Sequence, residues 1–198
     1  MSEMKASTQH RTGSVAPLTE RAWEVAAAVL DPELPVLTIA DLGILREVRV
    51  LPTPRPRNNG DTGGTVRVTI TPTYSGCPAM DTIRADLRSA FARSTFAPTC
   101  AGDGPWDVEI VTVLAPAWTT DWISEPGRDK LVAFGIAPPT GSSPAGGHSG
   151  PVRLALQVKC PHCQSLNTRE LSRFGSTSCK AQYVCGDCRE PFDYFKVL

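Results

Sequence analysis

The sequence has 198 residues, only three of them histidine, and no excess of charge of either sign. Lysine plus arginine and aspartate plus glutamate number 20 each, so net charge provides no general attraction to nucleic acid or to an anionic membrane. No segment approaches the roughly 20 consecutive apolar residues that span a bilayer. The polar first seventeen residues also lack the apolar centre of a signal peptide. These absences predict a cytoplasmic protein without a membrane partner, in which thiols stay reduced.

The scarcity of histidine also argues against several kinds of catalysis. His10 lies in the polar N-terminal segment, His148 in a segment rich in Pro and Gly, and His162 between two cysteines. No histidine base is therefore expected beside a cysteine nucleophile in the larger part of the chain. The absence of a Glu-x-x-His pair excludes the ligand set of a carboxylate-bridged di-iron oxygenase. We therefore expect a protein that is not an enzyme.

Cysteine, in contrast, is concentrated at one end, with five of the seven cysteines in the last forty residues. Four of them form two Cys-x-x-Cys pairs, Cys160 with Cys163 and Cys185 with Cys188. Each pair can direct two sulfurs to one point, and two such turns make a tetrahedral four-thiolate site that suits zinc. An iron–sulfur cluster is the alternative occupant, because it also accepts four thiolates. The reduced compartment and the odd cysteine count argue against a disulfide framework.

Composition and periodicity divide the chain into four parts. They are a disordered leader at 1–17, an α+β domain at 18–136, a linker at 137–151 and a four-cysteine zinc ribbon at 152–198. The expected elements are a helix capped by Thr19, strands at 44–51, 66–70 and 108–113, a helix buried through Met80, Ile83, Leu87 and Ala90, a short helix capped by Asp121 or Ser124, and ribbon strands at 154–158 and 192–197. The predicted fold class is α+β, with helices covering one face of a small sheet.

Two cysteines outside the paired motifs are candidate functional thiols. Cys77 lies between a predicted strand and a predicted helix, where the helix dipole favours the thiolate; alternatively it fills a small space under a glycine turn. Cys179 is not needed by the four-thiolate site, so it either packs in the small ribbon core or serves as an additional soft ligand for metal or iron–sulfur species. Asp31, Glu33 and Asp41 lie in or near turns, where acidic side chains are usually solvated, and Asp31 is expected to cap its turn.

Several motifs carry a resemblance to a known family. Asp31-Pro-Glu-Leu-Pro, Asp41-Leu-Gly and Thr71-Pro-Thr-Tyr-Ser-Gly-Cys77-Pro-Ala-Met resemble the SufT-like family of iron–sulfur assembly factors. The later motifs CPHC, FGSTSCKAQY and CGDCREPFDYFK are similar to those of the phenylacetate-pathway members of that family. The resemblance covers about residues 18–198, apart from the segments 52–64 and 97–105 and the linker.

The resemblance implies a maturation factor for the phenylacetyl-CoA epoxidase (1,2-phenylacetyl-CoA monooxygenase) system of phenylacetate catabolism. Its partners would be the epoxidase components, especially the iron–sulfur reductase, and the general iron–sulfur assembly machinery. Cys77 corresponds to the reactive cysteine of the family, and Cys160, Cys163, Cys185 and Cys188 correspond to its ribbon cysteines. One alternative is a non-catalytic structural subunit of the oxygenase. A nucleic-acid-binding ribbon is less favoured, because the ribbon carries only 7 basic against 4 acidic side chains.

Overall fold

Two small sheets and three α-helices make up the described part of the chain, which in this computed structural model is residues 16–52, 64–94, 106–140 and 157–197. The elements are α1 (Ala16–Ala27), β1 (Leu45–Pro52), β2 (Gly64–Ile70), α2 (Ala79–Arg93), β3 (Trp106–Thr112), a 3-10 turn (Thr120–Trp122), α3 (Glu125–Ala133), β4 (Ile136–Ala137), β5 (Thr168–Ser172), β6 (Lys180–Cys185) and β7 (Pro191–Phe195). This confirms the α+β class. None of the described helices has the length and apolar character that crossing a membrane requires.

The first sheet has the order β1-β2-β3, with β1 antiparallel and β3 parallel to β2. Alternation along β2 buries Val66, Val68 and Ile70 completely. Its opposite face is more exposed, and there Arg67 pairs with Glu109 on β3 at 2.8 Å. The strands predicted at 44–51 and 66–70 thus correspond to β1 and β2, which pair antiparallel. The predicted apolar face of α2 packs into the same core.

The start of α1 differs from the prediction, whereas the start of α3 agrees with it. α1 begins at Ala16, so Thr19 lies inside the helix rather than at its cap, and the helix ends before the Asp31-Pro turn. The predicted leader overlaps α1 by two residues; residues 1–15 lie outside the described ranges. At α3, Ser124 is the cap and accepts a hydrogen bond from the Gly127 amide at 3.0 Å. Pro126 fits the first turn because the missing amide hydrogen has no partner there.

The second sheet has the order β4-β7-β6-β5 and joins the two parts of the molecule. Its inner strands β6 and β7 are antiparallel ribbon strands, whereas β4 directly follows the α+β part and pairs in parallel with β7. Ala137, the first residue of the predicted linker, is therefore a buried strand residue. Val158 lies outside any strand, contrary to the prediction, and residues 141–156 lie outside the described part of the chain.

The main hydrophobic core continues from the α+β part into the ribbon. Cys179 and Phe195 of the ribbon belong to the same buried cluster as the inner faces of α1, α2, β1 and β2. The Phe195 ring lies 6.3 Å from the Trp118 ring, between centroids, and the Trp118 indole donates to the carbonyl of Leu42 at 2.8 Å. A second, smaller cluster surrounds Cys160 and Cys185. The ribbon is therefore packed against the first sheet and its helices.

Candidate metal centre and thiol site

The two Cys-x-x-Cys turns bring four sulfur atoms together as the sequence predicts. The Sγ atoms of Cys160, Cys163, Cys185 and Cys188 all lie within 4.8 Å of one another. Cys160 Sγ is 3.8 Å from Cys188 Sγ, and Cys163 Sγ is 3.5 Å from Cys185 Sγ. A regular tetrahedron of thiolates around a metal ion has edges of about 3.8 Å, because each metal–sulfur bond is about 2.3 Å. The donor set fits a tetrahedral four-thiolate metal site.

The two turns are built alike. In each, the residue after the second cysteine has a positive φ: Gln164 at 65° and Arg189 at 62°. The Cys160 amide donates to the carbonyl of Ser165, and in the same way the Cys185 amide donates to the carbonyl of Glu190. The backbone amide of Cys188 is the chief cause that lowers the pKa of the Cys185 thiol to about 7. A substantial fraction of Cys185 is therefore thiolate at neutral pH, and the thiolate is the form that ligates a metal.

Asp187 connects the two turns, a role that its sequence position did not reveal. Its carboxylate accepts hydrogen bonds from the Ser165 hydroxyl at 2.5 Å and the Asn167 amide group at 2.8 Å. These bonds lower the pKa of Asp187, so it is charged at neutral pH. The Gly186 amide adds a hydrogen bond to the carbonyl of Asn167. These hydrogen bonds hold the two Cys-x-x-Cys turns at the separation that the metal site requires.

Cys77 lies just before α2, but its thiol does not have the low pKa that the helix dipole predicts. The helix begins at Ala79 with Pro78 as its cap, so Cys77 is outside the first turn and half-buried. Burial raises the pKa of Cys77 and outweighs the Ala79 amide, which lowers it. The negative charge of Glu33 raises the pKa further. The thiol form is therefore the resting form at neutral pH.

Cys179 packs in the larger core rather than in the small ribbon core. It is 5% exposed, and its Sγ lies 3.0 Å from the Thr177 hydroxyl oxygen. It is outside the group formed by the four paired cysteines. Burial raises the pKa of Cys179, and Glu33 again acts in the same direction. The negative charge of Glu33 therefore acts on the pKa of both Cys77 and Cys179.

A buried carboxylate of the α+β part and a buried lysine of the ribbon interact electrostatically. Asp31 caps its turn as predicted, accepting the amides of Glu33 at 2.9 Å and Leu34 at 2.8 Å, but it is 5% exposed and not solvated. Burial raises the pKa of Asp31 despite these amides and the nearby charge of Lys180. Lys180 is itself buried and lies 3.4 Å from an Asp193 oxygen. The sequence does not predict the interaction of Lys180 with Asp31, because it forms only when the ribbon packs against the α+β part.

Two family models match different segments of the chain. Residues 20–95 match the iron–sulfur cluster assembly protein family, and residues 146–196 match the PaaD zinc beta ribbon domain. An Escherichia coli (strain K12) protein, provisionally named as a subunit of 1,2-phenylacetyl-CoA epoxidase, is 41% identical over 182 residues, which are 92% of this chain and 94% of that protein. The chain belongs to the PaaD family. This confirms the resemblance noted in the sequence. Cys77 lies within the segment of this PaaD-family chain that matches the iron–sulfur cluster assembly family, and Cys179 lies within the segment that matches the zinc ribbon domain.

Two solved structures are also similar to this PaaD-family chain. A domain of unknown function (DUF59) from Bacillus anthracis has a TM-score of 0.43 and 21% identity, covering 59% of this chain and 92% of that one. A Mycobacterium tuberculosis protein described as associated with Fe–S complex assembly and repair has a TM-score of 0.31 and 29% identity, covering 66% of this chain and 98% of that one.

Proposed function

We propose that this protein is a non-enzymatic maturation factor that helps to install an iron–sulfur cluster in the reductase component of the phenylacetyl-CoA epoxidase. The observation that carries the proposal is the shared core of an iron–sulfur assembly domain and a PaaD ribbon, with Cys77 and Cys179 both packed against it. The epoxidase is proposed as the client because the E. coli relative is named after it. General iron–sulfur assembly proteins would supply the cargo.

The environment of Cys77 favours binding over covalent catalysis. Its pKa is raised by burial, whereas a nucleophilic cysteine needs a lowered pKa or an adjacent base. His162, the one histidine in the described ranges, has its ring against Gly135, 3.2 Å from where a β-carbon there would be. A thiol in this setting can still ligate a soft metal, since metal binding displaces the proton.

In the same proposal the four paired cysteines hold a structural zinc ion. Cys160, Cys163, Cys185 and Cys188 would occupy all four tetrahedral positions, and such a closed site supplies folding energy rather than reactivity. The ribbon sheet then presents β5 and its exposed Leu171 as the outer edge of a docking module. Zinc with no visible absorption bands in the anaerobically purified protein is the expected result. Iron–sulfur absorption that is lost with Cys185→Ser would contradict a purely structural zinc.

The maturation role is tested in an E. coli strain from which the gene for the 41% identical relative has been deleted. The reductase polypeptide is expected to accumulate there without its cluster, and this chain is expected to restore iron and acid-labile sulfide in the purified reductase. Cys77→Ser is expected to fail, while the matched thiol control Cys100→Ser succeeds. A fully clustered, active reductase in the uncomplemented strain would refute the maturation role.

A structural component of the oxygenase is the second candidate, favoured by the name of the E. coli relative, which describes it as a subunit of the epoxidase. The two roles differ in stoichiometry, because a structural subunit stays with the active complex while a maturation factor leaves it. Purification of the active epoxidase with this chain affinity-labelled distinguishes them. Retention of one chain per catalytic unit supports the structural role, and activity in a complex depleted of this chain supports the maturation role.

A further inference from the structure

An open groove lies between α1 and α2, on the solvent side of the two helices. Both helices bury their inner faces in the main core. The groove between them has a volume of about 490 Å³ and is bordered by the end of α1 and the second half of α2. A partner could therefore contact both helices at once.

The wall of the groove on the α1 side is apolar. Val25 is half-buried and Val29 is buried, whereas Leu30, directly after Val29, is 50% exposed. A single exposed leucine needs no explanation, but here three neighbouring apolar side chains line one groove. A partner that covers this wall removes apolar surface from water, and this is the main driving force of protein association.

The wall on the α2 side carries one charge of each sign. Asp86, Ala90 and Arg93 have the i, i+4, i+7 spacing that places side chains on one face of a helix. Asp86 and Arg93 are both exposed. Among the described residues neither forms an ion pair, whereas Asp81 and Arg84 of the same helix pair with each other at 2.7 Å. The two charges in the groove are therefore available to a partner.

These two charges complement each other across a two-fold axis. They lie seven residues apart, which is about 10.5 Å along the helix. When the α2 helices of two copies run antiparallel, Asp86 of each copy faces Arg93 of the other, and one contact gives two ion pairs. The small Ala90 lies close to the axis, where a large side chain would hold the helices apart. A partner of uniform charge, such as nucleic acid, would instead be repelled by one of the two charges.

We propose that this groove is the interface of a homodimer. In it the α2 helices of two copies pack antiparallel, Asp86 of each copy pairs with Arg93 of the other, and Leu30 of both copies is covered. A two-fold interface uses the same patch on both subunits, so one groove with one acid and one base is sufficient. The inference goes beyond the maturation role, since it uses neither Cys77 nor the four paired cysteines.

Sedimentation velocity of the full-length, zinc-loaded protein tests the dimer, with a phosphine reductant present so that disulfides do not link the copies. A monomer–dimer equilibrium is expected, with a dissociation constant below about 1 mM. A protein that stays monomeric at every concentration from about 1 μM to 1 mM would overturn the proposal and leave the groove to a different partner.

Charge reversal tests which residues make the interface. Asp86→Arg and Arg93→Asp each turn both ion pairs into like-charge contacts, so each is expected to weaken the dimer by at least about 10-fold. The double variant exchanges the two charges and is expected to dimerise again, and a mixture of the two single variants is expected to form a mixed dimer. Arg88→Asp is the control, because it makes the same charge change at an exposed position of α2 outside the groove and should leave the affinity unchanged.

The apolar wall is tested with Leu30→Ser, which is expected to weaken the dimer by at least about 10-fold because both copies lose buried apolar surface. Leu171→Ser is its matched control with unchanged affinity, since Leu171 is 49% exposed on the ribbon. Zinc content and circular dichroism show that each variant is folded. A dimer that single charge reversals or Leu30→Ser leave at native affinity, or a double variant that stays monomeric, would overturn the proposal.

Discussion

At the scale of single residues, Gly43 shows why the Asp-Leu-Gly motif has its glycine. Gly43 has φ of +68°, and a β-carbon there would lie 2.7 Å from both the β-carbon and the carbonyl oxygen of Trp122. The Arg46 guanidinium in turn stacks over the Trp122 ring, with its central carbon 3.5 Å from the ring centroid. The motif therefore has a packing reason that is independent of any metal or cargo.

Gly43→Ala is expected to destabilise the protein by about 3 kcal/mol or more, because it adds a backbone clash to the cost of a left-handed conformation. Gly76→Ala is the matched control. Gly76 also has a positive φ, of +83°, but open space around it, so only the conformational cost of about 1–2 kcal/mol is expected. Urea unfolding monitored by circular dichroism measures both. Equal losses for the two variants would show that Trp122 yields to the added methyl group.

At the scale of elements, Asp41 holds α3 against the turn that precedes β1. Its carboxylate accepts the Thr38 amide at 2.9 Å and the Lys130 ammonium at 2.7 Å, while its backbone carbonyl accepts the Ser124 amide. Burial alone would raise the pKa of Asp41, but the hydrogen bonds from Lys130 and Thr38 outweigh it and lower the pKa below 3.8. An acidic residue that the sequence suggested as solvated therefore has a structural role.

Asp41→Ala is expected to cost about 2 kcal/mol at neutral pH, since it leaves the Thr38 amide without its acceptor. Lys130→Ala is expected to cost less than about 1 kcal/mol, because the lysine is exposed. A lowered pKa stabilises the fold above the unfolded value of 3.8, and this contribution disappears as the pH falls through the folded value. The difference between wild type and Asp41→Ala should therefore narrow below about pH 4 in denaturant titrations. A constant difference down to pH 2 would contradict this role.

At the scale of the whole molecule, the ribbon and the α+β part are expected to unfold together. Phe195 is 1% exposed and packs in the main core, although it belongs to the last ribbon strand. Phe195→Ala should destabilise the protein by about 3–5 kcal/mol through the cavity it leaves. Phe174→Ala, at a ring that is 73% exposed, is the control with an effect below about 1 kcal/mol.

The readout for Phe195→Ala is tryptophan fluorescence during urea unfolding, because Trp118 contacts Phe195 from the α+β side. A single transition at lower denaturant concentration, coincident with circular dichroism, is expected. Two separate transitions would mean that the ribbon unfolds independently of the first sheet.

Local patterns in the sequence determined much of the fold and the metal centre. The Cys-x-x-Cys spacing identified the four clustered sulfurs because each turn positions its own pair. The alternation along β2 and the periodicity of α2 identified their buried faces because side-chain direction follows backbone geometry. The motifs by themselves indicated the family, because they are sequence features that need no tertiary contact to be recognised.

The tertiary structure alone decided the environment of the two other thiols. Burial raises the pKa of Cys77, with the negative charge of Glu33 acting in the same direction, and this overrides the dipole that its position before α2 suggests. Cys179 joins the main core because β4 and β7 pair and bring the ribbon against the first sheet. Burial and charge depend on residues distant in sequence, so no local pattern contained them. The sequence alone therefore specified the four-thiolate metal site, and the packing of the two parts decided the burial and the pKa direction of Cys77 and Cys179.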